Sequence, residues 1–285
     1  MFIFQEVTHF NIIMVGKMFG LGLRQPHHNY VLKNKPKVDF LEVHTENFIA
    51  EGGASLDFLE KISELYKLSF HCVGISFGSS NGLDAQHLQN IKNLLDTFKP
   101  FLFSDHLSWS NSPSQGISND LLPISYTQKS LDNFCQNVNQ AQDYFGRNIL
   151  IENPSAYLEY HESDISEVDF INELANKTDC DILLDINNVY VSSQNFNFCA
   201  TEYLKQIDHT KVKEIHLAGH SIYDFQGQNI RIDTHNTHIC DEVLELYQNF
   251  IKTTNLQVPT LVEWDDDIPE FEVLYNELEK VKSLT

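Results

Sequence analysis

The residues of this chain with the most chemistry to offer are imidazoles and carboxylates that fall where apolar runs stop. His71 lies near the end of the run Lys67–Val73, His106 closes Phe101–His106, and Glu152 stands near the end of Asn148–Asn153. Asp185 ends the run Asp181–Ile186, with Asn188 three residues on. His216 nears the end of Val212–Leu217, Asp233 and His235 follow in the next polar stretch, and Glu263 nears the end of Pro259–Trp264. A single histidine at such a place is more often a hydrogen-bonded core residue than a ligand. Four imidazoles, four carboxylates and one amide in the same phase are harder to explain that way. Burying so many ionisable groups is costly unless they are paired or bind metal. Divalent cations would neutralise the excess carboxylate. Imidazole with carboxylate and no thiolate suits iron, zinc or manganese rather than copper(I) or an iron–sulfur cluster. Two or more ions about 4 Å apart, joined by a carboxylate, would make a multinuclear site.

Something must bring these donors together, and the apolar runs supply it. With Phe19–Arg24 and Val38–His44 there are eight, each rich in β-branched or aromatic residues as strands require. Between them lie the helical patterns Leu56–Tyr66, Ala85–Phe98, Lys129–Phe145, Glu167–Lys177, Thr201–Ile207, Asp241–Thr253 and Glu270–Lys282. Ser166 with Asp169 resembles a capping box, Gly146 sits where a helix ends, and Pro269 falls where a first-turn proline is tolerated. Eight strands alternating with helices over about 250 residues is the arithmetic of a single α/β (β/α)8 TIM barrel, whose strand ends open on one mouth. A doubly wound open sheet would need a phosphate-binding glycine loop, and Gly20-Leu21-Gly22 leads to no third glycine. The stretches Gly74–Asp84, Leu107–Thr127, Pro154–Ile165, Val189–Cys199 and Ala218–Cys240 are read as loops on the mouth side, long enough to form a peptide cleft.

Composition narrows the partners. The 285 residues are 42% hydrophobic and 12% aromatic, enough for one large core. A formal charge of −21 repels phosphate backbones and anionic membranes and attracts cations. Five scattered cysteines without a CxxC pair imply a reduced, cytoplasmic protein. Residues 1–17 read as an N-terminal extension, with an apolar patch at Phe10–Val15 far too short to span a bilayer, and residues 18–285 as the catalytic barrel.

Other residues stand close to the ring in sequence. Arg24 ends the first strand, where it can meet a ring carboxylate or pair structurally. His44, Glu46 and Asn47 follow the second strand and can orient ligands, touch substrate, or form a hydrogen-bonded cluster. His220, four after His216, is read either as a neighbour of ligands or substrate or as a plain loop histidine; His238 could be either. Alternation turns Cys72 away from the interior, as a buried and inert thiol. Asp265–Asp267 is expected to be a solvated loop.

The segments GLGLR, FLEVHTENF, HCVGISFGS, SDHLSWS, LIENPSAYL, LLDINNVYVS, EIHLAGH, IDTHNTHICDEV and LVEWDDDIP resemble the multinuclear non-haem iron-dependent oxidases, from about Phe19 to Lys282. The resemblance implies a xylose-isomerase-like barrel, of the superfamily that also holds trinuclear-zinc apurinic endonucleases. It implies that His71 and His106 share one ion with a bridging Glu152. Glu152, Asp185, His216 and Glu263 would hold a second. Asn188, Asp233 and His235 would hold a third, the most variable. Asn188 stands where the endonucleases have histidine, and a neutral amide is a weaker ligand. Asp105 stands where the family more often has Glu, which should matter only behind the ligands. Glu152, His216 and Glu263 are the residues the resemblance puts at the reacting ions.

The implied cofactor is two or three ions, iron first, with zinc or manganese as alternatives. The implied activity is O2-dependent oxidation of cysteines in a ribosomally made precursor peptide, beside a small partner protein that presents the peptide. A ferrous ion would bind O2 while a ferric neighbour holds the substrate thiolate. Competing readings are a sugar isomerase or epimerase, a phosphodiesterase-like hydrolase, or a non-catalytic metal-binding partner. The negative charge and only three arginines weigh against DNA as substrate. An isomerase would be expected to show a catalytic lysine or a simpler carboxylate pair.

Overall fold

In the computed structural model, which describes residues 17–50, 52–112 and 116–285, eight parallel strands close into a barrel. The expected extension over 1–17 lies, apart from Lys17, outside the described residues. Strand β1 (Phe19–Gly22) leads through a short 3-10 turn to helix α1 (His28–Asn34). Then come β2 (Phe40–His44), α2 (Ala54–Ser63), β3 (Lys67–His71), α3 (Ala85–Phe98) and β4 (Leu102–His106). A hairpin of β5 (Trp109–Ser112) and β6 (Gly116–Leu122) precedes α4 (Gln128–Phe145), β7 (Leu150–Glu152), α5 (Glu167–Thr178) and β8 (Asp181–Asp185). Helices α6 (Ile186–Phe196) and α7 (Ala200–Gln206) lead to β9 (Val212–Leu217). A second hairpin, β10 (Ser221–Phe225) with β11 (Gln228–Ile232), precedes α8 (Asp241–Thr254), β12 (Thr260–Val262) and α9 (Phe271–Lys282). Around the barrel the order is β1-β12-β9-β8-β7-β4-β3-β2.

Alternation along each strand sorts the side chains. Outward residues such as Phe70, Phe103, Ile151 and Ile182 are fully buried under the helices. The helices answer with apolar stripes, as in α3, where Leu88, Ile91, Leu94 and Leu95 face inward and Asp84 caps the start through the Gln86 and His87 amides. Low in the interior, Leu102, Leu150 and Leu183 form a separate apolar cluster, and Phe40 meets Phe101 edge-on at 5.3 Å. A Cβ at position 20 would lie 2.5 Å from the Phe40 ring, so Gly20 is needed for close packing rather than for holding phosphate.

Several expectations needed correction. The stretch Val189–Cys199 is not a loop: α6 starts directly after β8 and runs to Phe196. Its asparagines conceal a buried helix that Asp185 caps by accepting the Asn188 amide at 2.6 Å. The strand expected to reach Ile186 therefore stops at Asp185. Helix α1 lies in a short segment, HNYVLKN, where His, Asn, Tyr and Val weaken the helical signal. Pro269 lies before the Glu270 cap, not in the first turn of α9. The stretches after His106 and His216 each carry a hairpin. Ser166 does cap α5, accepting the Asp169 amide, and Gly146 ends α4 at φ +70°. Among the described residues no helix is long and apolar enough to cross a membrane.

Candidate metal centre

Three strand ends build the first cluster. His71, His106 and Glu152 close β3, β4 and β7, and all are buried. His71 Nε2 lies 3.3 Å from His106 Nε2, and Glu152 Oε2 lies 3.4 Å from the first and 3.2 Å from the second. Donors about 2.0–2.1 Å from a tetrahedral ion stand about 3.3 Å from one another, so this triangle has the size of one face of such a shell. The rings are held from behind. The Ser104 hydroxyl is 2.8 Å from His71 Nδ1, and Asp105 Oδ1 lies 3.5 Å from His106 Nδ1. Asp105 is itself fixed by the amides of His106 at 2.6 Å and Ile75 at 2.8 Å.

The remaining donors gather beside this triangle. Ligand-capable atoms of Glu152, Asp185 and His216 lie within 4.8 Å of one another, as do those of Asp185, His235 and Glu263. His216 Nδ1 is 3.2 Å and His235 Nδ1 3.5 Å from Glu263 Oε2, while His235 Nε2 is 2.6 Å from Asp233 Oδ1. His235 holds a left-handed backbone at φ +45°, with its amide bonded to the Gly219 carbonyl. A Cβ at 219 would meet the Thr237 carbonyl oxygen at 2.0 Å, so the glycine lets the two loop segments touch. Asn188 turns its amide nitrogen to Glu152 Oε1 at 3.4 Å and to the Asn153 carbonyl at 3.1 Å.

The flanking residues divide. Arg24 donates from Nε to Asp265 at 2.6 Å, lies 2.9 Å from His44 Nε2, and reaches Glu263 at 3.4 Å. His220 joins a chain, with Nδ1 2.9 Å from Asn187 Oδ1 while the Asn187 amide donates to Asp233 at 2.6 Å. Glu46 faces elsewhere, accepting the Val73 and Gly74 amides, and Asn47 is exposed. His238 pairs with Glu277 of α9, 2.7 Å away, and Cys72 is buried with its thiol pushed well up by burial. Asp265 is no part of a solvated loop: it accepts from Arg24 and lies 3.1 Å from His235 Nδ1.

Two residues escaped notice in the sequence. Glu42 and Glu214 are fully buried beneath the mouth, with Glu42 Oε2 3.3 Å and Glu214 Oε1 4.0 Å from His216 Nε2. The Ser69 hydroxyl reaches both, at 3.2 and 3.4 Å. Each precedes a mouth histidine by two residues, His44 and His216, and that period-two spacing was the available signal.

Carboxylates outnumber permanent cations in the cluster. Among the described residues, Arg24 meets Glu263 and Asp265 and acts on Glu42, whereas Glu152, Asp185, Asp233 and Glu214 face imidazoles and one another. Burial pushes the Glu152 carboxyl up to about 7 and the Asp185 carboxyl well above its ordinary value, with Asp233 and Glu152 adding to the latter. Burial pulls His106 down, but Glu152 and Asp105 outweigh it and raise it to about 9. Burial opposes ionisation of Glu263 too, yet His216 and His235 hold it well below the usual carboxylate range. Among the described residues, the buried atoms Asp185 Oδ2 and Asn188 Oδ1 aimed into this space make no hydrogen bond, and Glu152 Oε2 and His216 Nδ1 meet only ionisable neighbours, at 3.2–3.4 Å and 3.2 Å, without hydrogen-bond geometry. Oxygen and nitrogen donors at ligand spacing, with carboxylates forced toward protonation, fit divalent or trivalent cations of the iron, zinc or manganese kind.

Comparison with known proteins agrees on the architecture. A "UPF0276 protein" of Psychromonas ingrahamii is 48% identical over 261 residues, covering 92% of each chain. One from Vibrio vulnificus is 45% identical over 265 residues, covering 93% of this chain and 90% of the relative. The barrel is similar in fold to a xylose isomerase-like TIM barrel protein from Mycobacterium smegmatis in complex with magnesium (TM-score 0.59, 12% identity, 95% of this chain and 96% of that one). It is also similar to endonuclease IV from Thermus thermophilus (TM-score 0.57, 13% identity, 92% and 99% covered). The model of the RiPP precursor modification enzymes MbnB/TglH/ChrH matches residues 18–285, and the chain belongs to that family.

Proposed function

We propose that this member of a precursor-modifying family is an O2-dependent, non-haem iron enzyme that oxidises cysteine in a ribosomally synthesised peptide. Residues 18–285 form its catalytic unit. The observation that carries the reading is the gathering of imidazole and carboxylate donors at ligand spacing at one barrel mouth, in a chain whose family modifies precursor peptides. His71, His106 and Glu152 would hold one ion. Glu152, Asp185, His216 and Glu263 would hold a second, and Asn188, Asp233 and His235 a third. Bound there, two or three irons would supply electrons to O2 and acidify a substrate thiol. The chain's own part is to aim and to exclude. Ser104 and Asp105 fix the His71 and His106 rings, and Arg24 with His44 steadies Glu263 and Asp265. Glu152, with one oxygen toward both imidazoles and the other toward Asn188, is suited to bridge; with His216 and Glu263 it forms the catalytic set. A small partner protein would present the peptide, with no nucleic-acid or membrane partner. Five free thiols support a reducing, cytoplasmic setting.

The test is anaerobic purification with metal analysis and Mössbauer spectroscopy, followed by O2 uptake with a cysteine-containing peptide. Two or three irons per chain and peptide-dependent O2 consumption are expected. Stoichiometric zinc, with no O2 uptake by the iron-reconstituted protein, would overturn the reading in favour of an epimerase, a hydrolase or a metal-binding partner.

A further inference from the structure

Beside the mouth lies a groove of about 560 Å³, bounded by the Leu121–Tyr126 segment, the chain from Pro154 to Val168, and the ends of α6 and α7. Its inner wall is the continuation of the metal-bearing elements. Ser108 and Pro154 come two residues after His106 and Glu152, and Ser192 lies one helical turn after Asn188. Tyr157 belongs to both regions: it lines the groove, and its hydroxyl accepts the Asp233 amide at 2.9 Å. The groove therefore borders the mouth, although none of the ring residues lines it.

Three features describe the occupant. The rim exposes large apolar side chains where water gains nothing from them: Tyr157 and Leu158 are each 48% exposed and Phe198 39%. The floor is stiff, because the Tyr126 and Tyr203 hydroxyls both donate to half-buried Glu167, at 2.8 and 2.9 Å. Its free charge is acidic and comes from exposed Glu159, since Glu202 pairs with Lys205 at 2.7 Å and Glu167 is engaged by the two tyrosines; among the described residues no Lys or Arg lines the groove. Apolar walls with an acidic edge at Glu159 and no lining cation suit an apolar segment that carries positive charge and no carboxylate.

We propose that this groove seats an aliphatic or aromatic side chain of the substrate peptide flanked by lysine or arginine, and so sets which cysteine reaches the mouth. The inference rests on the reading that the substrate is a peptide. It adds where the peptide lies and which side chains it must offer.

The experiment uses the metal-reconstituted full chain and a fluorescein-labelled decapeptide of alternating Leu, Lys and Ser. Two controls accompany it: one with each Leu replaced by Ser at equal charge, and one with each Lys replaced by Glu. Anisotropy should show saturable binding of the Leu/Lys peptide and at least tenfold weaker binding of both controls. Leu158→Ser and Phe198→Ser should weaken binding at least fivefold at unchanged metal content and melting temperature. Leu65→Ser, at an exposed leucine on the far side of the molecule, should change nothing. Bound peptide should slow alkylation of Cys199, which lines the groove, at least fivefold by mass spectrometry. The proposal is overturned if no saturable binding occurs, if the Ser control binds as tightly, or if both groove variants bind normally and Cys199 is not protected. Iron content and O2 uptake are read separately, so peptide-dependent O2 uptake with an unoccupied groove sinks this inference alone, and groove binding without O2 uptake sinks only the oxidase reading.

Discussion

Low in the barrel, Phe40, Leu102, Leu150 and Leu183 fill the interior, and a few residues further along the same strands His44, His106, Glu152 and Asp185 crowd the mouth. The lower layer satisfies itself: apolar atoms pack on apolar atoms, and nothing further is needed. The upper layer cannot, because buried carboxylates outnumber their permanent cations and, among the described residues, several donor atoms make no hydrogen bond. Stability is thus invested at one end of the strands, and binding capacity is held at the other against the local cost of unpaired charge.

That contrast can be broken at either end. Phe40→Ala should cost about 3–5 kcal/mol in urea unfolding, through the cavity it leaves, while metal content per folded chain stays the same. A large loss of metal instead would show that the two layers are not independent. Glu152→Ala should remove more than one ion by elemental analysis, yet leave the metal-free protein no less stable than metal-free wild type. Loss of a single ion would count against its bridging place. Glu42→Gln should weaken metal binding about 10–100-fold, since Glu42 stands behind His216 and orients its ring, with little change in the metal-free melting temperature.

The pH dependence should differ between loaded and metal-free protein. His106 is raised to about 9, so between pH 7 and 9 the folded metal-free chain keeps a proton that the unfolded chain has lost. His216 and His235, raised by facing carboxylates, act in the same direction. The metal-free protein should therefore lose stability as pH rises through that range, whereas the loaded protein should hold or gain it because ligands must be deprotonated to bind. Parallel melting curves for the two forms would refute this. Smallest of all, Asn188→Ala should cost at most one ion, because a neutral amide contributes least.

How much was readable depended on how local the cause was. Eight strands, most of the helices and the strand-end donors were legible because apolar runs and their terminal polar residues lie side by side in the chain. Helix α6 was not, because Asn187 and Asn188 read as loop residues and only the Asp185 cap and the surrounding core make them helical. Asp265 was misjudged for a similar reason: an acidic triplet looks solvated until Arg24, 241 residues away, is set against it.

The amino-acid sequence by itself determined the barrel, through strand and helix periodicities, and the kinds of atoms at its mouth, through the residues that end each strand. Only closure of the barrel decided which of those atoms meet: that Glu42 and Glu214 lie under His216, that Asp265 joins Arg24, that Tyr157 touches the backbone of Asp233. The reason is physical. Periodicity acts between near neighbours along the chain, whereas pairing and charge act through space, over distances that exist only once the first strand has found the last.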